Sequence, residues 1–314
     1  MITVDVVIPV RNGAEFLVKA IDSVSKQTHP INQIIVINDG STDETSLILS
    51  NLVDEHQNLR VIETEHCGLS AARNLGWRAS EADFISFLDV DDYWSREKIA
   101  NQVRHLETHS NCDIAFSNCF LVNESNSKKI KLAGSTDFSA SPLNLLGRRF
   151  VVAGSVSSVI LRRSLLIRLN GFDETLRFGE DLDLWIRLSE VTDFCCVSDF
   201  DVFILKSKGG MQSNVVDIES VFKHNILILR LIDRYIPALE LITLKKDLRA
   251  AFWGDLRKNI RYGRHDLLNI YNKIKVDFPG VVQILFPSFT LFLQSFFWAL
   301  FSKVLFILLR VRNV

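Results

Sequence analysis

Residues 84–92 read Phe-Ile-Ser-Phe-Leu-Asp-Val-Asp-Asp, an apolar strand that runs straight into a cluster of carboxylates. Upstream, Val4–Ile8, Gln33–Ile37 and Leu59–Ile62 are further short runs rich in Val and Ile. The segments between the four runs, Glu15–Lys26, Thr42–Asp54 and Leu69–Ala79, repeat apolar residues three and four apart, as helices packed on a sheet do. Strand and helix alternate, which predicts βαβ units and a doubly wound α/β half. The loops after the first, second and fourth strands carry the polar chemistry: Val10-Arg11-Asn12-Gly13, Asn38-Asp39-Gly40-Ser41 and Asp89-Val90-Asp91-Asp92. In open α/β sheets ligands bind beyond the carboxyl ends of the strands, so these three clusters are expected to converge on one site.

With 314 residues, 47% hydrophobic and 23% charged, the chain is able to bury a sizeable core. Its net charge of −1 hides an asymmetry, because residues 221–314 hold 15 Lys+Arg against 6 Asp+Glu, whereas residues 1–220 hold 21 against 31. An acidic front excludes nucleic acid as a partner, and a basic back beside apolar segments suits an anionic membrane surface. The five cysteines show neither CxxC spacing nor an even count, so all five are expected to be reduced and buried, as in a cytosolic protein. MITVDVVIPV lacks the features of a signal peptide, which places the amino end in the cytoplasm.

The pattern weakens over residues 122–150, where NESNSKK and GSTDFSASP read as loop, and strands resume at Ser155–Leu161. GEDLDLWIRLSE, from Gly179, reads as a helix, and residues 218–274 are helix-periodic throughout. The tract 281–309 is the most apolar, broken by Pro287, with one charge at Lys303 and Arg310 and Arg312 beyond it. A monotopic or re-entrant helix pair fits it better than one clean span, with a buried core or dimer helix as the alternative.

Closely spaced carboxylates after a strand are what a hard divalent cation bridging a diphosphate needs. In an extended segment Asp89 and Asp91 would face the site together while Val90 packs behind; a solvated acidic turn, or a cap for a helix starting near Ser95, would use the same residues. At the end of the second strand Asp39 is free for nucleobase or ribose donors, Ser41 or Thr42 is placed to cap the next helix, and Asp43 suits a turn. Arg73, within Gly68–Gly76, can pair with a phosphate or with Asp89. Glu180 and Asp181 open a helix, where the macrodipole alone favours carboxylates. A base near an acceptor hydroxyl would nevertheless need a carboxylate delivered from a second sub-region. Trp185 suits either the core or a sugar-facing wall.

Taken together, VVIPVRNG at 6–13, VINDGSTDET at 36–45, GLSAARNLG at 68–76, FLDVDD at 87–92 and GEDLDLW at 179–185 resemble the family 2 glycosyltransferases, which adopt the GT-A fold. The resemblance covers about the first 210 residues in order and spacing. It implies that Pro9 and Val10 border the nucleotide and that Asp39 contacts the base. Arg73 would lie near the nucleotide, Asp89 would hold the ribose side, Val90 would be among the donor-binding residues, and Asp91 would hold the metal, Mg²⁺ or Mn²⁺. Asp181 matches the family's general base, with Glu180 as its neighbour. Many relatives carry His or Arg within the segment matching FILKSKGGMQS at 203–213, where this chain has Lys206 and Lys208. Lysine suits neutralisation of a leaving diphosphate rather than metal ligation.

The expected architecture is a GT-A domain over 1–215 with a doubly wound mixed sheet, a helical extension over 216–280 and an apolar membrane-associated tail over 281–314. The expected function is inverting transfer of a hexose or N-acetylhexosamine from a nucleoside diphosphate sugar, UDP-linked by family preference. The expected acceptor is a lipid-linked saccharide of bacterial surface-polysaccharide assembly, at the cytoplasmic face of the inner membrane. A nucleotidyltransferase would need a Gly-rich basic loop where this chain has VRNGAE. A non-catalytic nucleotide-sugar-binding or scaffold protein of the same fold is the other alternative.

Overall fold

The computed structural model describes residues 2–123, 128–133, 152–176 and 179–206. Four parallel strands come first: β1 (Val4–Val10), β2 (Gln33–Asp39), β3 (Leu59–Thr64) and β4 (Phe84–Phe87). They lie side by side as β3-β2-β1-β4, with Val6 opposite Ile34 and Ser86, and Val36 opposite Val61. Helices α1 (Ala14–Ser25), α2 (Thr45–Glu55) and α3 (Leu69–Arg78) link them. Buried on α1 are Leu17, Ala20, Ile21 and Val24, three and four residues apart. On α3 Gly76 lies directly against Val7 of β1, where a side chain would collide.

The sheet continues in mixed sense through β5 (Tyr93–Trp94), β6 (Cys112–Asn123), β7 (Lys129–Leu132), β8 (Val159–Arg162) and β9 (Asp193–Lys206). Beyond β4 the order is β8-β6-β9-β5, with β7 on β6; β4·β8, β8·β6 and β9·β5 pair antiparallel and β6·β9 parallel. Helix α4 (Lys98–Thr108) packs on β6 and β9, and α5 (Arg163–Leu169) and α6 (Glu180–Ser189) complete the described elements. Val4, Ile8, Ile34, Phe84, Phe87 and Phe116 are fully buried or nearly so. Each such side chain contributes roughly 1.5–3 kcal/mol of hydrophobic stabilisation.

Several expectations need correction. Within 122–150, expected to be loop, β6 runs on to Asn123 and β7 occupies Lys129–Leu132. The strand expected at Ser155 begins at Val159, after a single 3₁₀ turn over Val156–Ser158. The cysteines are not all reduced and buried. Cys112 and Cys195 form a disulfide between the neighbouring strands β6 and β9, and Cys67 is exposed. Their separation of 83 residues leaves no local signature, because parallel pairing alone brings them together. Among the described residues no helix is long and apolar enough to cross a membrane, and the expected extension and tail lie outside them.

Candidate active site

Because β1 to β4 run parallel, Val10, Asp39, Thr64 and Phe87 all end on one edge of the sheet. Pro9 and Val10 are buried in the ladder opposite Ile37 and Asn38. A Cβ at Gly13 would sit 2.7 Å from Val10 Cγ2 and 3.0 Å from Val90 Cγ1, so Val10 and Val90 close together over a glycine. The first and second loops are stitched to each other. Asn12 N–H donates to Ser41 Oγ at 2.9 Å, Thr42 N–H to Asn12 Oδ1 at 2.7 Å, and Gly13 N–H to Thr45 Oγ1 at 3.1 Å. Asp43, not Ser41 or Thr42, meets the start of α2, accepting from Thr45 N–H at 3.1 Å and from Ala14 N–H at 3.2 Å.

Contrary to the expectation from sequence, Asp39 is not free. It is only 4% exposed. Oδ1 accepts from Cys67 N–H at 2.6 Å, and Oδ2 accepts from His66 Nδ1 at 2.8 Å and Gly68 N–H at 3.1 Å. Burial works to raise its pKa, but these donors outweigh it and hold the carboxyl below the usual carboxylate value.

Arg73, on α3, is the hub of the site. Its guanidinium is buried, donating through Nη2 to Asp89 Oδ1 at 2.6 Å and through Nη1 to Glu180 Oε1 at 2.7 Å, with Nε left unpartnered. The neighbouring Asn74 pins the chain ahead of α6. Its Nδ2 donates to Phe172 O and Glu174 Oε1, each at 2.8 Å, and its Oδ1 accepts from Phe172 N–H at 2.9 Å. Two adjacent residues of α3 thus draw Glu180 and Asp181 to the edge where Asp89 stands.

The carboxylate cluster is a turn, not an extended segment: Asp92 N–H donates to Asp89 O at 2.9 Å. Ser157 Oγ fixes it from the antiparallel half, accepting from Asp89 N–H at 3.0 Å and donating to Asp92 Oδ2 at 2.7 Å. Leu205 N–H donates to the same buried carboxyl at 3.2 Å. Burial, then the Asp89 and Asp91 charges, hold Asp92 well above the usual carboxylate range. Asp91 stays half-buried at the turn. Among the described residues no group of three or more His, Cys, Asp or Glu side chains is arranged to hold a metal ion. What the turn has to offer a divalent cation is the half-buried carboxylates of Asp89 and Asp91; a Mg²⁺ site of one or two protein carboxylates is completed by phosphate and water.

Asp181 is half-buried beside this hub. Burial raises its pKa, and the opposing pull of Arg73 and the Leu182 N–H, which donates to Asp181 Oδ1 at 2.7 Å, does not cancel that rise. Glu180 is raised as well, by burial and then by Asp181, against Arg73. Trp185 is 4% exposed and meets Phe194 edge to face at 6.4 Å, so it is a core residue and not a sugar-facing wall. Lys206 ends β9 with its side chain outside the described residues, and Lys208 lies outside them entirely. Ser157 and His66 are site residues that the sequence did not reveal. Ser157 sits in SVSSVIL, which carries no motif, whereas the polar pair Glu65-His66 before the α3 glycine is a signal that could have been followed.

The profile described as Glycosyl transferase family 2 matches residues 5–166. The chain belongs to that family. It is 32% identical over 186 residues to an uncharacterized glycosyltransferase of Rickettsia felis, covering 59% of this chain and 30% of that protein. It is 34% identical over 122 residues to glycosyltransferase GlyA of Streptococcus pneumoniae, covering 39% of this chain and 17% of that protein. The matches thus span less than two thirds of these relatives' length. Among solved structures, S. aureus TarS 1-349 superposes with a TM-score of 0.65 at 18% identity, over 90% of this chain and 81% of that one. The same protein in complex with UDP-GlcNAc gives 0.61 at 19% identity, over 90% and 80%. These likenesses establish the mixed α/β sheet as the GT-A glycosyltransferase fold.

Proposed function

We propose that this protein transfers a hexose or N-acetylhexosamine from a nucleoside diphosphate sugar, UDP-linked, to a hydroxyl of a saccharide acceptor, with inversion. The observation that carries this reading is the Arg73 hub, which ties Asp89, in the carboxylate turn, to Glu180, next to Asp181. A donor diphosphate at the sheet edge and a base for the acceptor then stand on either side of one buried cation. The UDP-GlcNAc and UDP complexes of TarS support a uridine diphosphate sugar as the donor.

In this reading Asp181 removes the acceptor proton as the acceptor oxygen bonds to the anomeric carbon. The bond from that carbon to the diphosphate breaks on the opposite face, and the nucleoside diphosphate leaves with the electron pair. A carboxyl held above its ordinary pKa is a stronger base than a solvated one. Asp91, with Asp89 beside it, would hold Mg²⁺ or Mn²⁺, which supplies charge neutralisation of the diphosphate. Lys206 and Lys208 are proposed to add to that neutralisation. Trp185 supports α6 from the core.

The acceptor proposed is a lipid-linked saccharide of surface-polysaccharide assembly, met at the cytoplasmic face of the inner membrane through the basic and apolar residues 281–314. Calorimetry with UDP, GDP and dTDP, with and without Mn²⁺, tests the donor site in wild type and Asp91→Ala. Metal-dependent binding of one nucleotide, lost in the variant, is the expected result. If none of the three binds under any condition, the reading fails.

A further inference from the structure

Resting on that reading, we infer that Asn74 and Arg187 are positioning residues for transfer: through the loop at 169–172 they fix where helix α6 carries Asp181, and neither acts on the donor. The proposed chemistry uses Glu180 and Asp181 of GEDLDLW and leaves Asp183 without a task. Asp183 is fully buried. It faces Arg187 one turn on, accepting from Nε at 2.8 Å. The same guanidinium reaches out of α6 to two main-chain carbonyls, Leu169 O at 2.9 Å through Nη1 and Gly171 O at 2.8 Å through Nη2. Nearly two turns past Asp181, α6 is thereby tied to the loop that follows α5.

That loop is held in turn by α3. Asn74 is fully buried, and its Oδ1 accepts from Phe172 N–H at 2.9 Å while its Nδ2 donates to Phe172 O at 2.8 Å. One amide thus takes both main-chain groups of one loop residue. Its orientation is fixed, because the Trp77 indole Nε1–H, which can only donate, meets Oδ1 at 2.8 Å. Gly171, at φ +64°, lets the loop come this close, since a Cβ there would collide with Asn74 Oδ1 and the Trp77 indole. Arg73 holds the first residue of α6 through Glu180, so the helix is tied to α3 at two points. A single tie would act as a pivot; two fix the direction of the helix, and Asp181 lies between them. Transfer is sensitive to that direction, because a misplacement of about 1 Å arising far from the reacting atoms costs roughly a hundredfold in rate. The bonds of Asn74 go to Phe172, Glu174 and Trp77, and those of Arg187 to Asp183, Leu169 and Gly171, so donor affinity is expected to be indifferent to both.

The test uses the full chain as wild type, Asn74→Ala, Arg187→Lys and the double variant. Calorimetry with UDP and Mn²⁺ gives the affinity and the fraction of chains that bind. Release of UDP from UDP-GlcNAc, with water, glucose and N-acetylglucosamine as acceptors, then gives kcat per binding chain, so that unfolded protein does not count. Asn74→Ala is expected to lower that kcat more than about tenfold while the Kd for UDP stays within about twofold of wild type. Arg187→Lys keeps a charge beside Asp183, but an ammonium lacks the planar fork that reaches two carbonyls, so it should lose kcat by a smaller factor. Because both substitutions break one link, the double variant should fall within about threefold of Asn74→Ala. If Asn74→Ala leaves no chain able to bind, Arg187→Lys decides. A kcat per binding chain that stays at the wild-type value, or a Kd for UDP that weakens as much as kcat falls, overturns the inference and leaves the transfer reading standing. A wild type that releases no UDP overturns both.

Discussion

The Arg73 guanidinium donates to Glu180 Oε1 at 2.7 Å although 107 residues separate the two in sequence, and its other arm holds Asp89. One buried cation thus serves carboxylates from both halves of the sheet. Removing it leaves Glu180 and Asp89 partly buried and uncompensated, which costs about 3–5 kcal/mol for a broken buried pair. Arg73→Met is therefore expected to lower Tm by roughly 2–4 °C per kcal/mol lost. Adding Glu180→Gln, which removes one stranded charge, should restore part of the loss. Equal Tm for Arg73→Met and wild type would mean that the hub contributes nothing to the fold.

Asp181 carries the pH prediction. Its pKa is raised by burial, and only the ionised carboxylate accepts a proton, so activity falls as pH drops through that raised value. The acidic limb of kcat/KM should lie above the ordinary aspartate value of about 3.9. Asp181→Asn should lose turnover while binding the donor nucleotide as wild type does. A limb at or below the ordinary value, or turnover in Asp181→Asn, would remove Asp181 from the role of base.

Ser157 should matter for geometry rather than chemistry. Its hydroxyl is the acceptor for Asp89 N–H and a donor to buried Asp92, so Ser157→Ala strands the Asp89 N–H and leaves Asp92 Oδ2 only the longer 3.3 Å bond from Ser155 Oγ. The expected cost is about 1–3 kcal/mol in stability, measured by urea unfolding, with weaker nucleotide binding as the turn loosens. Ser157→Thr keeps the hydroxyl and should lose less of both.

Lys98 is fully buried, with its ammonium hydrogen-bonded to Ser86 Oγ at 2.6 Å and set 3.8 Å from the Trp94 ring centroid. Burial depresses its pKa well below the usual lysine value. Between the folded and unfolded pKa values the unfolded chain binds more protons, so this group's contribution to stability rises with pH. Lys98→Met should accordingly be more stable than wild type at pH 7, by a margin that shrinks toward pH 10. Tm measured at both values checks the sign, and a margin that grows with pH would contradict it.

The parallel half was readable because β1 to β4 are short runs of Val, Ile and Phe between helices of regular apolar spacing, and their C-terminal loops carry the polar residues. β6 and β9 escaped because they bury Ser117, Asn118 and Asp201, whose partners stand 15, 80 and 106 residues away in sequence. Asp89, Asp91 and Asp181 were visible as motifs, but the turn that spoils the alternate-facing expectation at 89–92 is set by Ser157, from a 3₁₀ turn 65 residues beyond Asp92. Asp39 was visible too. Its occupation by His66, Cys67 and Gly68 was not, because that depends on how β3 turns back over Gly40.

Turnover decides whether this protein transfers sugar: release of free nucleoside diphosphate from UDP-GlcNAc and UDP-glucose is measured, with Mg²⁺ or Mn²⁺ and a saccharide acceptor, for wild type, Asp91→Ala and Asp181→Asn. Wild type is expected to release UDP from at least one donor in step with glycosylation of the acceptor, and both variants to fail to do so. A wild type that binds UDP yet releases none from either donor would contradict sugar transfer and point to a nucleotide-sugar-binding protein that keeps the fold without the reaction.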